Sequence, residues 1–507
     1  MSGSTLIGLT RHHRGVVMIL QQIGVEWTLL SNFDGTFDTT SNSTADLAYD
    51  VLLLPPNESN RQWVETAHTI PTIDFSGLIA KDQGFRSFSQ TVKHLLDTPW
   101  LQPIWDVPIH PMTVRAFPKG QSLEKSIWVD EPSKVCHVGL PFWSQAEVHA
   151  SWMATMPMES SIDQTSNRPS ERIHKTPYAL MRRVLHYVLI HCCLWSGRTL
   201  VRKASLPEGV ESVMMFRVDS DYGTKDAVKS LIHTCQTYGI PATWFLHTEA
   251  HKGWLDRFVD PNIEMAVHGA RHQSRGSTEA LLRNIRQARD DIKQETGQNP
   301  TGVAMPFGRY TSPIAEVYRQ CNHLFDYASD FGFDSDNLPH WPSDNQPLQV
   351  PIHPICPGSF RRTNATERDI QRYFLGKWAR SIARDEPFIF YHHPMQSDAG
   401  VLNQLFGEVA ELRSKGQLET WTMQQWASWW VRRSMSNRHD KLVDNELEGD
   451  TKLRDVDPPI RVKWIEEDTI PKPLSGQNHS TGTYSPPKRP FKQWKAMILD
   501  ELGQRTQ

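Results

Sequence analysis

Apolar and polar residues alternate with two different spacings through the middle and later parts of the chain. Short apolar runs, typical of buried parallel strands, precede stretches with the three-to-four-residue spacing of amphipathic helices. The predicted strands are Ser212–Val218, Ala242–His247, Met265–Val267, Gly302–Met305 and Phe388–Tyr391. The predicted helices are Asp226–Tyr238, Thr278–Thr296, Ser312–Cys321, Glu367–Arg384, Leu402–Lys415 and Thr422–Arg433. Repeated strand–helix units of this kind predict parallel strands that close as a complete or distorted (β/α) barrel.

The beginning of the chain shows a looser form of the same alternation. Helical spacing covers Leu6–Gln21 and Arg61–Thr69, and strand-like runs cover Val25–Leu30, Val51–Leu54 and Thr69–Ile73. This pattern predicts a smaller α/β unit with a doubly wound sheet. Its rhythm resembles glutamine-amidotransferase-like α/β domains, but the segment holds no catalytic Cys in a suitable elbow and no phosphate-binding glycine fingerprint. We therefore assign it no function beyond a structural or substrate-positioning one.

These patterns predict an α/β protein of four segments. Residues 1–156 form the smaller α/β domain, and residues 157–210 contain a polar linker and an apolar helix. Residues 211–435 form the distorted barrel, which we expect to be catalytic. Residues 436–507 form a polar, partly disordered tail, in which Ile460–Ile470 could add one edge strand.

The helix in the second segment has two interpretations. Its apolar part, residues 184–195, is flanked by basic residues such as Arg182, Arg183 and Arg198. A short apolar stretch of this length is typical of a buried core helix. An apolar centre with basic flanks also suits a helix that rests on an anionic membrane, which would be a peripheral membrane contact.

Composition and charge narrow the function classes. Lys and Arg number 54 against 57 Asp and Glu, a formal net charge of −3. This balance argues against a chain that binds nucleic acid through a basic excess. The six cysteines form no CxxC pair, and polar residues from Gln21 onwards interrupt the N-terminal apolar run. We therefore expect a reduced, cytoplasmic setting without a signal peptide; the sequence leaves the oligomeric state open.

Candidate chemistry follows the predicted strands, where barrel active sites collect. Asp219 and Asp221 lie two residues apart at the end of one strand, which places both carboxylates on one face. Such carboxylates repel unless a cation lies between them or one takes a proton. His268 and His272 follow the strand Met265–Val267. At a spacing of four on one helical turn, both imidazoles could reach one zinc-sized ion.

Two further segments occupy similar positions. Pro306, Phe307 and Gly308 follow the strand Gly302–Met305 and predict a tight loop whose backbone N–H groups face a cleft. His392 and His393 end the strand at residues 388–391. One carboxylate with two imidazoles leaves a fourth zinc position for water, which is the pattern of a catalytic rather than a structural zinc site.

Together, these four segments resemble the NodB-homology polysaccharide deacetylases, carbohydrate esterase family 4, over roughly residues 211–432. The resemblance implies a metal-dependent hydrolase that removes an N- or O-acyl group from a carbohydrate or glycan precursor. It implies Zn²⁺, or another divalent ion such as Co²⁺, as the cofactor. The metal ligands would be Asp221, His268 and His272.

The resemblance also implies the catalytic roles. Asp219 would be the general base, and the N–H of Phe307 would bind the oxyanion. The general acid would be His393 or His392. His393 is preferred because Pro394 follows it, as a proline does in relatives.

The chain departs from the family pattern at several positions. Ala304 stands where the family has an arginine that orients the base, so Arg217, Arg271 or Arg309 would have to substitute for it. Gly269 stands where Ser or Thr is usual. The family's fourth motif has no clean match, and Asp330 is the best candidate for it. The alternatives to a sugar deacetylase are a catalytically impaired glycan-binding or scaffold protein and a hydrolase of a non-sugar amide.

Overall fold

The computed structural model describes most of the chain between Tyr178 and Met435 and shorter parts outside it. The described residues are 6–30, 49–55, 70–76, 88–91, 113–119, 122–125, 127–130, 132–138, 151–155, 170–174, 178–331, 338–360, 363, 365–394, 399–435, 452–453 and 460–465. The predicted helix Arg61–Thr69, most of the predicted linker and most of the predicted tail lie outside them.

The described residues form eight α-helices and 22 strands. The helices are α1 (Arg14–Ile23), α2 (Tyr178–Trp195), α3 (Lys225–Tyr238), α4 (Thr278–Thr296), α5 (Ser312–Gln320), α6 (Glu367–Ala383), α7 (Ala399–Ser414) and α8 (Met423–Met435). The strands are β1 (Leu6–Leu9), β2 (Glu26–Leu29), β3 (Val51–Leu54), β4 (Thr72–Asp74), β5 (Phe88–Thr91), β6 (Thr113–Lys119), β7 (Ser122–Lys125), β8 (Ile127–Asp130), β9 (Val135–Val138), β10 (Ser151–Thr155), β11 (Ser170–His174), β12 (Leu200–Pro207), β13 (Ser212–Asp219), β14 (Ala242–Leu246), β15 (Ile263–Val267), β16 (Gly302–Val303), β17 (Tyr327–Ala328), β18 (Leu348–Gln349), β19 (Phe388–His392), β20 (Leu418–Trp421), β21 (Lys452–Leu453) and β22 (Ile460–Ile465).

The N-terminal part contains a six-stranded sheet in the order β2-β1-β3-β4-β9-β8. Its first five strands are parallel, and β8 joins the edge in the antiparallel direction. The prediction of one helix over Leu6–Gln21 was wrong at its start. Leu6–Leu9 is a buried strand, and α1 begins only at Arg14. A four-residue apolar run fits a buried parallel strand as well as it fits a turn of helix.

Helix α2 packs into the core of this first sheet. Val184, Leu185, Val188 and Leu189 are at most 1% exposed and share one apolar cluster with α1 and the strands. The structure therefore favours the core-helix interpretation, because a membrane contact through 184–195 would require these side chains to face outward. None of the described helices is long and apolar enough to cross a membrane.

The second large sheet is the predicted barrel. Its order is β18-β17-β16-β15-β14-β13-β19, and all neighbours are parallel. Strand β20 runs beside the first half of β13. The predicted α/β fold with a distorted (β/α) barrel is confirmed. Three strands were missed: β17 and β18 have only two residues each, and β20 is a four-residue run of mixed polarity.

Side chains alternate between two apolar layers along these strands, as the period of a strand requires. On β13, Phe216 and Val218 pack under the surrounding helices, whereas Val213 and Met215 face the barrel interior. On β14, Trp244 is in the helix-covered layer and Phe245 is in the interior cluster. Every second residue of a strand therefore points to the interior, which we call inward parity, and the residues between them point to the helices, which we call outward parity.

A buried carboxylate closes the end of the barrel where the strands begin. Tyr327 donates to Glu264 Oε1 at 2.5 Å, and Thr243 donates to Oε2 at 2.7 Å. The backbone N–H of Gln424, in the first turn of α8, donates to the same oxygen at 2.9 Å. Burial raises the pKa of Glu264, and these donors oppose that shift. The amino end of α8 is thereby fixed beneath the barrel, opposite the ends where the candidate residues lie.

The segment that carries the two predicted histidine ligands is a loop rather than the expected helical turn. Strand β15 ends at Val267, and Gly269 has a φ of 95°. Asn284 of α4 holds this loop by accepting from the Arg271 N–H at 2.7 Å and donating to the Arg271 carbonyl at 2.9 Å. A Cβ at position 269 would lie 2.7 Å from Asn284 Nδ2 and 2.8 Å from that carbonyl. Glycine is therefore required where the family pattern has Ser or Thr.

Arg433 joins the two large parts of the chain. Its guanidinium is fully buried and donates to the carbonyls of Ala204 at 2.7 Å, Lys203 at 3.0 Å and Gln21 at 3.2 Å. Gln21 lies in the last turn of α1, so the cation also faces the negative end of that helix. Strand β12, which includes two of these carbonyls, pairs in addition with β22 of the C-terminal segment.

We predict that Gly269→Ala destabilises the protein more than Gly297→Ala does. Both glycines have positive φ, but nothing lies within 4 Å of a Cβ at Gly297. The Gly297 variant should lose about 1–2 kcal/mol from backbone strain alone. The Gly269 variant should lose roughly 1–3 kcal/mol more, because its methyl group overlaps Asn284 and the Arg271 carbonyl. Thermal unfolding of both variants tests this; equal losses would contradict the role given to Asn284.

We predict that Arg433→Met lowers stability by about 2–3 kcal/mol, because the carbonyls of Ala204, Lys203 and Gln21 lose a charged donor. Arg432→Met, at the exposed neighbouring position, is the matched control and should change stability by less than about 0.5 kcal/mol. Thermal unfolding monitored by circular dichroism measures both. Indistinguishable midpoints for the two variants would show that Arg433 does not hold α1 and β12 together.

Candidate functional site

Side chains from different inner strands converge at the carboxyl end of the barrel. Three of these side chains point into the barrel because every second residue of a strand does so. They are Asp219, His268 and His393, which each lie two residues after an interior residue of β13, β15 or β19. His268 is 1% exposed and Asp219 3%. The backbone alternation thus assembles the site from positions far apart in the sequence.

Asp221, His268 and His272 form one compact donor group. One donor atom from each lies within 4.8 Å of the others. Asp221 Oδ1 is 2.9 Å from His272 Nε2 and 3.4 Å from His268 Nε2. Asp221 lies beyond the end of β13. Its φ of 39° is outside the strand and helix regions, in the left-handed range that is uncommon for residues other than glycine. The left-handed turn returns its carboxylate to the two imidazoles.

The surroundings of this group fix its donor atoms. His268 Nδ1 lies 3.0 Å from the Ala304 carbonyl, which can only accept, so Nδ1 is a donor and Nε2 is the ring nitrogen that faces Asp221. His247 Nδ1 lies 3.0 Å from the backbone carbonyl of Asp221 and so supports the strained turn. His247 was not predicted, although its position just after β14 is the signal that identified the other site residues.

The donor set fits a divalent metal ion. Although Asp221 Oδ1 and His272 Nε2 are close, they are not aligned as a hydrogen bond, and both are buried without another partner among the described residues. Two imidazole nitrogens and one carboxylate oxygen are ligands that Zn²⁺ and Co²⁺ accept, with a fourth position left open. The predicted metal ligands are thus brought together.

Asp219 is held by a different cation. Arg217, two residues earlier on β13, donates to both carboxylate oxygens, from Nε at 2.6 Å and from Nη2 at 2.9 Å. Its third nitrogen donates to Ser329 at 2.9 Å. Burial opposes ionisation of Asp219, but Arg217 outweighs it and lowers the pKa of this carboxyl. Of the three arginines that could replace the missing motif residue, Arg217 is the one that contacts Asp219.

The two adjacent histidines at the end of β19 point in opposite directions. His392 continues the outward parity and stacks on Phe216 in the helix-covered layer. His393 points inward, and its Nε2 lies 3.6 Å from Asp221 Oδ2. Burial lowers the pKa of His393, but the Asp221 carboxylate and the thiol of Cys356 outweigh it and raise the pKa to about 10.

Cys356 lies behind His393, with Sγ 3.8 Å from Nδ1. No sequence signal marked this cysteine, because it belongs to no pair or motif. Its contact lies on the imidazole edge away from Asp221, so the two neighbours fix the plane of the ring. The orientation of His393 thus depends on a loop between β18 and α6.

The loop after β16 covers one side of the group. Phe307 has a φ of 65°, and its ring centre is 4.6 Å from that of His272. Gly308 also has positive φ, and a Cβ there would lie 2.3 Å from the Phe331 ring. On the open side, the Tyr222 ring is 46% exposed and lies edge-on to His247 and His272. The site therefore opens to solvent beside an aromatic side chain.

The structure does not bring the remaining candidates into the site. Asp330 follows β17 with outward parity, the reverse of Ser329, and its charge acts on Tyr310 and Tyr318 in the helix-covered layer. Arg271 is exposed and pairs with Glu249 at 3.2 Å. The Asp330 expectation fails because one residue of register reverses the direction of a strand side chain.

Several solved structures are distantly similar to the barrel part of the chain. A protein described as a polysaccharide deacetylase from Mycobacterium smegmatis is 16% identical over 48% of this chain and 98% of its own, with a TM-score of 0.40. Another from Pseudomonas aeruginosa is 15% identical over 45% and 94%, also with a TM-score of 0.40. A family 4 carbohydrate esterase pseudoenzyme from Bacillus anthracis is 13% identical over 44% and 66%, with a TM-score of 0.29. These likenesses are distant, and nothing about activity follows from them.

The comparison with curated proteins gave no match of comparable significance. Residues 211–325 match the family described as polysaccharide deacetylase. The matched segment contains Asp219, Asp221, His268, His272 and Phe307, and it ends before His393. The resemblance to polysaccharide deacetylases that the motifs indicated is thus confirmed for residues 211–325.

Proposed function

We propose that this protein is a metal-dependent hydrolase that removes an N- or O-acetyl group from a carbohydrate or glycan precursor. The observation that carries the proposal is the division of roles among four neighbouring side chains. Asp221, His268 and His272 share one donor cluster, whereas the adjacent Asp219 is held outside it by Arg217. The family match supports the carbohydrate class of the substrate.

Asp221, His268 and His272 would hold Zn²⁺ or Co²⁺. When bound, such an ion lowers the pKa of water toward ~7 and polarises the carbonyl of the acyl group. The chain must then supply a base, an acid and a donor for the developing oxyanion. The described side chains around the donor cluster provide a candidate for each role.

Asp219 would take the proton of the attacking water. Its lowered pKa keeps it ionised at neutral pH, and Arg217 prevents the carboxylate from turning toward the cluster. Water oxygen adds to the acyl carbon, the bond to the sugar nitrogen or oxygen breaks, and acetate leaves. The sugar retains a free amine or hydroxyl.

His393 would protonate that leaving nitrogen or oxygen. The Asp221 carboxylate and the Cys356 thiol raise the pKa of His393 and so favour the protonated imidazole, which would supply an acid before the bond breaks. The N–H of Phe307, held by the left-handed turn beside His272, would donate to the oxyanion. Such a donor is typically worth about 3–4 kcal/mol of activation barrier.

We predict that each cluster residue is needed for metal binding. Asp221→Asn and His272→Ala should weaken Co²⁺ binding by roughly 100-fold or more, exceeding the 10–100-fold cost typical of an outer-shell change. His392→Gln is the matched control, because this neighbouring buried histidine points away from the cluster. Metal content after dialysis and the visible spectrum of the Co²⁺ form measure the effect. Normal Co²⁺ binding by both cluster variants would contradict the proposed site.

We predict that Asp219→Asn and His393→Gln abolish turnover without abolishing metal binding. Each should lower kcat for acetate release by about 10²–10⁴-fold, the usual contribution of a general base or acid. Release of acetate from N-acetylglucosamine oligomers and acetylated xylan is the measurement. Metal-loaded wild-type protein that binds these glycans but releases no acetate would favour the impaired glycan-binding alternative.

A further inference from the structure

We propose that Arg217 is the positioning residue of the general base, and that Ala304 is small because the Arg217 side chain occupies the interior space in front of it. This inference rests on the proposed function, because it concerns the base of that reaction. It assigns a guanidinium from β13 to the task that the family pattern gives to an arginine at position 304. It also predicts that only one of the two positions can carry an arginine.

The contact between Arg217 and Asp219 has the geometry of a clamp. Two guanidinium nitrogens donate to the two carboxylate oxygens at 2.6 and 2.9 Å, which fixes the plane of the carboxylate as well as its position. Arg217 is 0% exposed, so water does not compete for these bonds. A lysine in its place could offer a point charge but not the planar fork.

The guanidinium is itself held on several sides. Its carbon lies 4.4 Å from the centre of the Phe245 ring and 5.6 Å from that of Phe331. Ser329 accepts from Arg217 at 2.9 Å and donates to the Val350 carbonyl at 2.9 Å. The side chain therefore runs from β13 across the barrel interior to β17, and little freedom remains for it.

Ala304 lies in the same interior layer. It is 1% exposed and belongs to one apolar cluster with Phe245 and Phe331, the two rings that flank the guanidinium. Ala304 lies directly after β16 and Ser329 directly after β17, so the two residues are neighbours where the Arg217 side chain ends. A long side chain at position 304 would enter the volume that Arg217 fills, and it would add a second buried positive charge beside one carboxylate.

The clamp also separates the roles of the two aspartates. Both oxygens of Asp219 are directed to Arg217, and the donor cluster contains Asp221 but not Asp219. Without the guanidinium, the Asp219 carboxylate would be free to rotate toward the cluster and bind the metal. Arg217 thus keeps Asp219 a base rather than a fourth ligand.

Four variants of the full chain test this proposal: Arg217→Thr, Arg217→Lys, Ala304→Arg and the double variant Arg217→Thr/Ala304→Arg. Acetate release from N-acetylglucosamine oligomers, the thermal midpoint and the Co²⁺ spectrum are measured for each. Arg217→Thr and Arg217→Lys should lower kcat by roughly 100-fold, as a displaced reacting group does, while KM changes little. Arg271→Thr, which removes an exposed arginine near the site, is the control and should keep kcat within about threefold.

The double variant gives the decisive comparison. Ala304→Arg alone should lower the thermal midpoint by several degrees, as overpacking and a second buried charge do. In the Arg217→Thr background the same substitution should raise the midpoint and recover at least about tenfold in kcat. In the single Arg217→Thr variant, the Co²⁺ spectrum should change as Asp219 enters the coordination sphere.

The proposal would be overturned if the two substitutions shift the thermal midpoint additively. It would also be overturned if kcat of Arg217→Thr stays within about threefold of wild type. The non-additive effect of the two substitutions on the thermal midpoint does not depend on turnover. If wild-type protein releases no acetate but the midpoints couple as expected, the proposed function fails and the spatial exchange between positions 217 and 304 stands. If acetate is released and the midpoints add, the function stands and this inference fails.

Discussion

Two neighbouring carboxylates at the end of a single strand place the strongest constraint on this protein. Asp219 and Asp221 cannot both be ionised in a water-poor interior unless each has its own positive charge. The structure gives each a different solution. A permanently charged guanidinium holds Asp219, whereas imidazoles surround Asp221 and leave it available to a metal ion. The same pair of residues that would otherwise repel thereby acquires two separate roles.

The remaining parts of the site follow from the direction in which strand side chains point. Inward parity brings His268, His393 and Ser329 to the interior, and outward parity removes His392 and Asp330 from it. A shift of one residue in any of these strands would exchange the groups. The parallel sheet therefore determines the chemistry more directly than the loops do, apart from the strained turns at Asp221 and Phe307.

Much of this arrangement could be predicted from the sequence. Apolar runs and helical spacing located the barrel strands with four or more residues between β13 and β19, and the residues after them included all three members of the donor cluster. Strands β17 and β18 were missed because two residues carry no periodicity. The helical turn expected at His268 was wrong because the loop conformation depends on Asn284, which is distant in sequence. The contacts of Arg217 with Ser329 and of Cys356 with His393 join residues that are 112 and 37 positions apart, and spacing along the sequence cannot reveal them.

Arg433 has a consequence for how the chain can be divided. The cation sits on carbonyls of α1 and β12, both of which precede the segment that matches the deacetylase family, while Arg433 itself belongs to α8 beneath the barrel. A fragment that starts at Glu211 would keep a buried arginine and the surrounding tryptophans of α8 but lose the carbonyls of Gln21, Gln22, Lys203 and Ala204, which accept hydrogen bonds from that arginine. Excising the barrel at its family boundary would thus expose the apolar surface around this cation, and we expect such a fragment to aggregate.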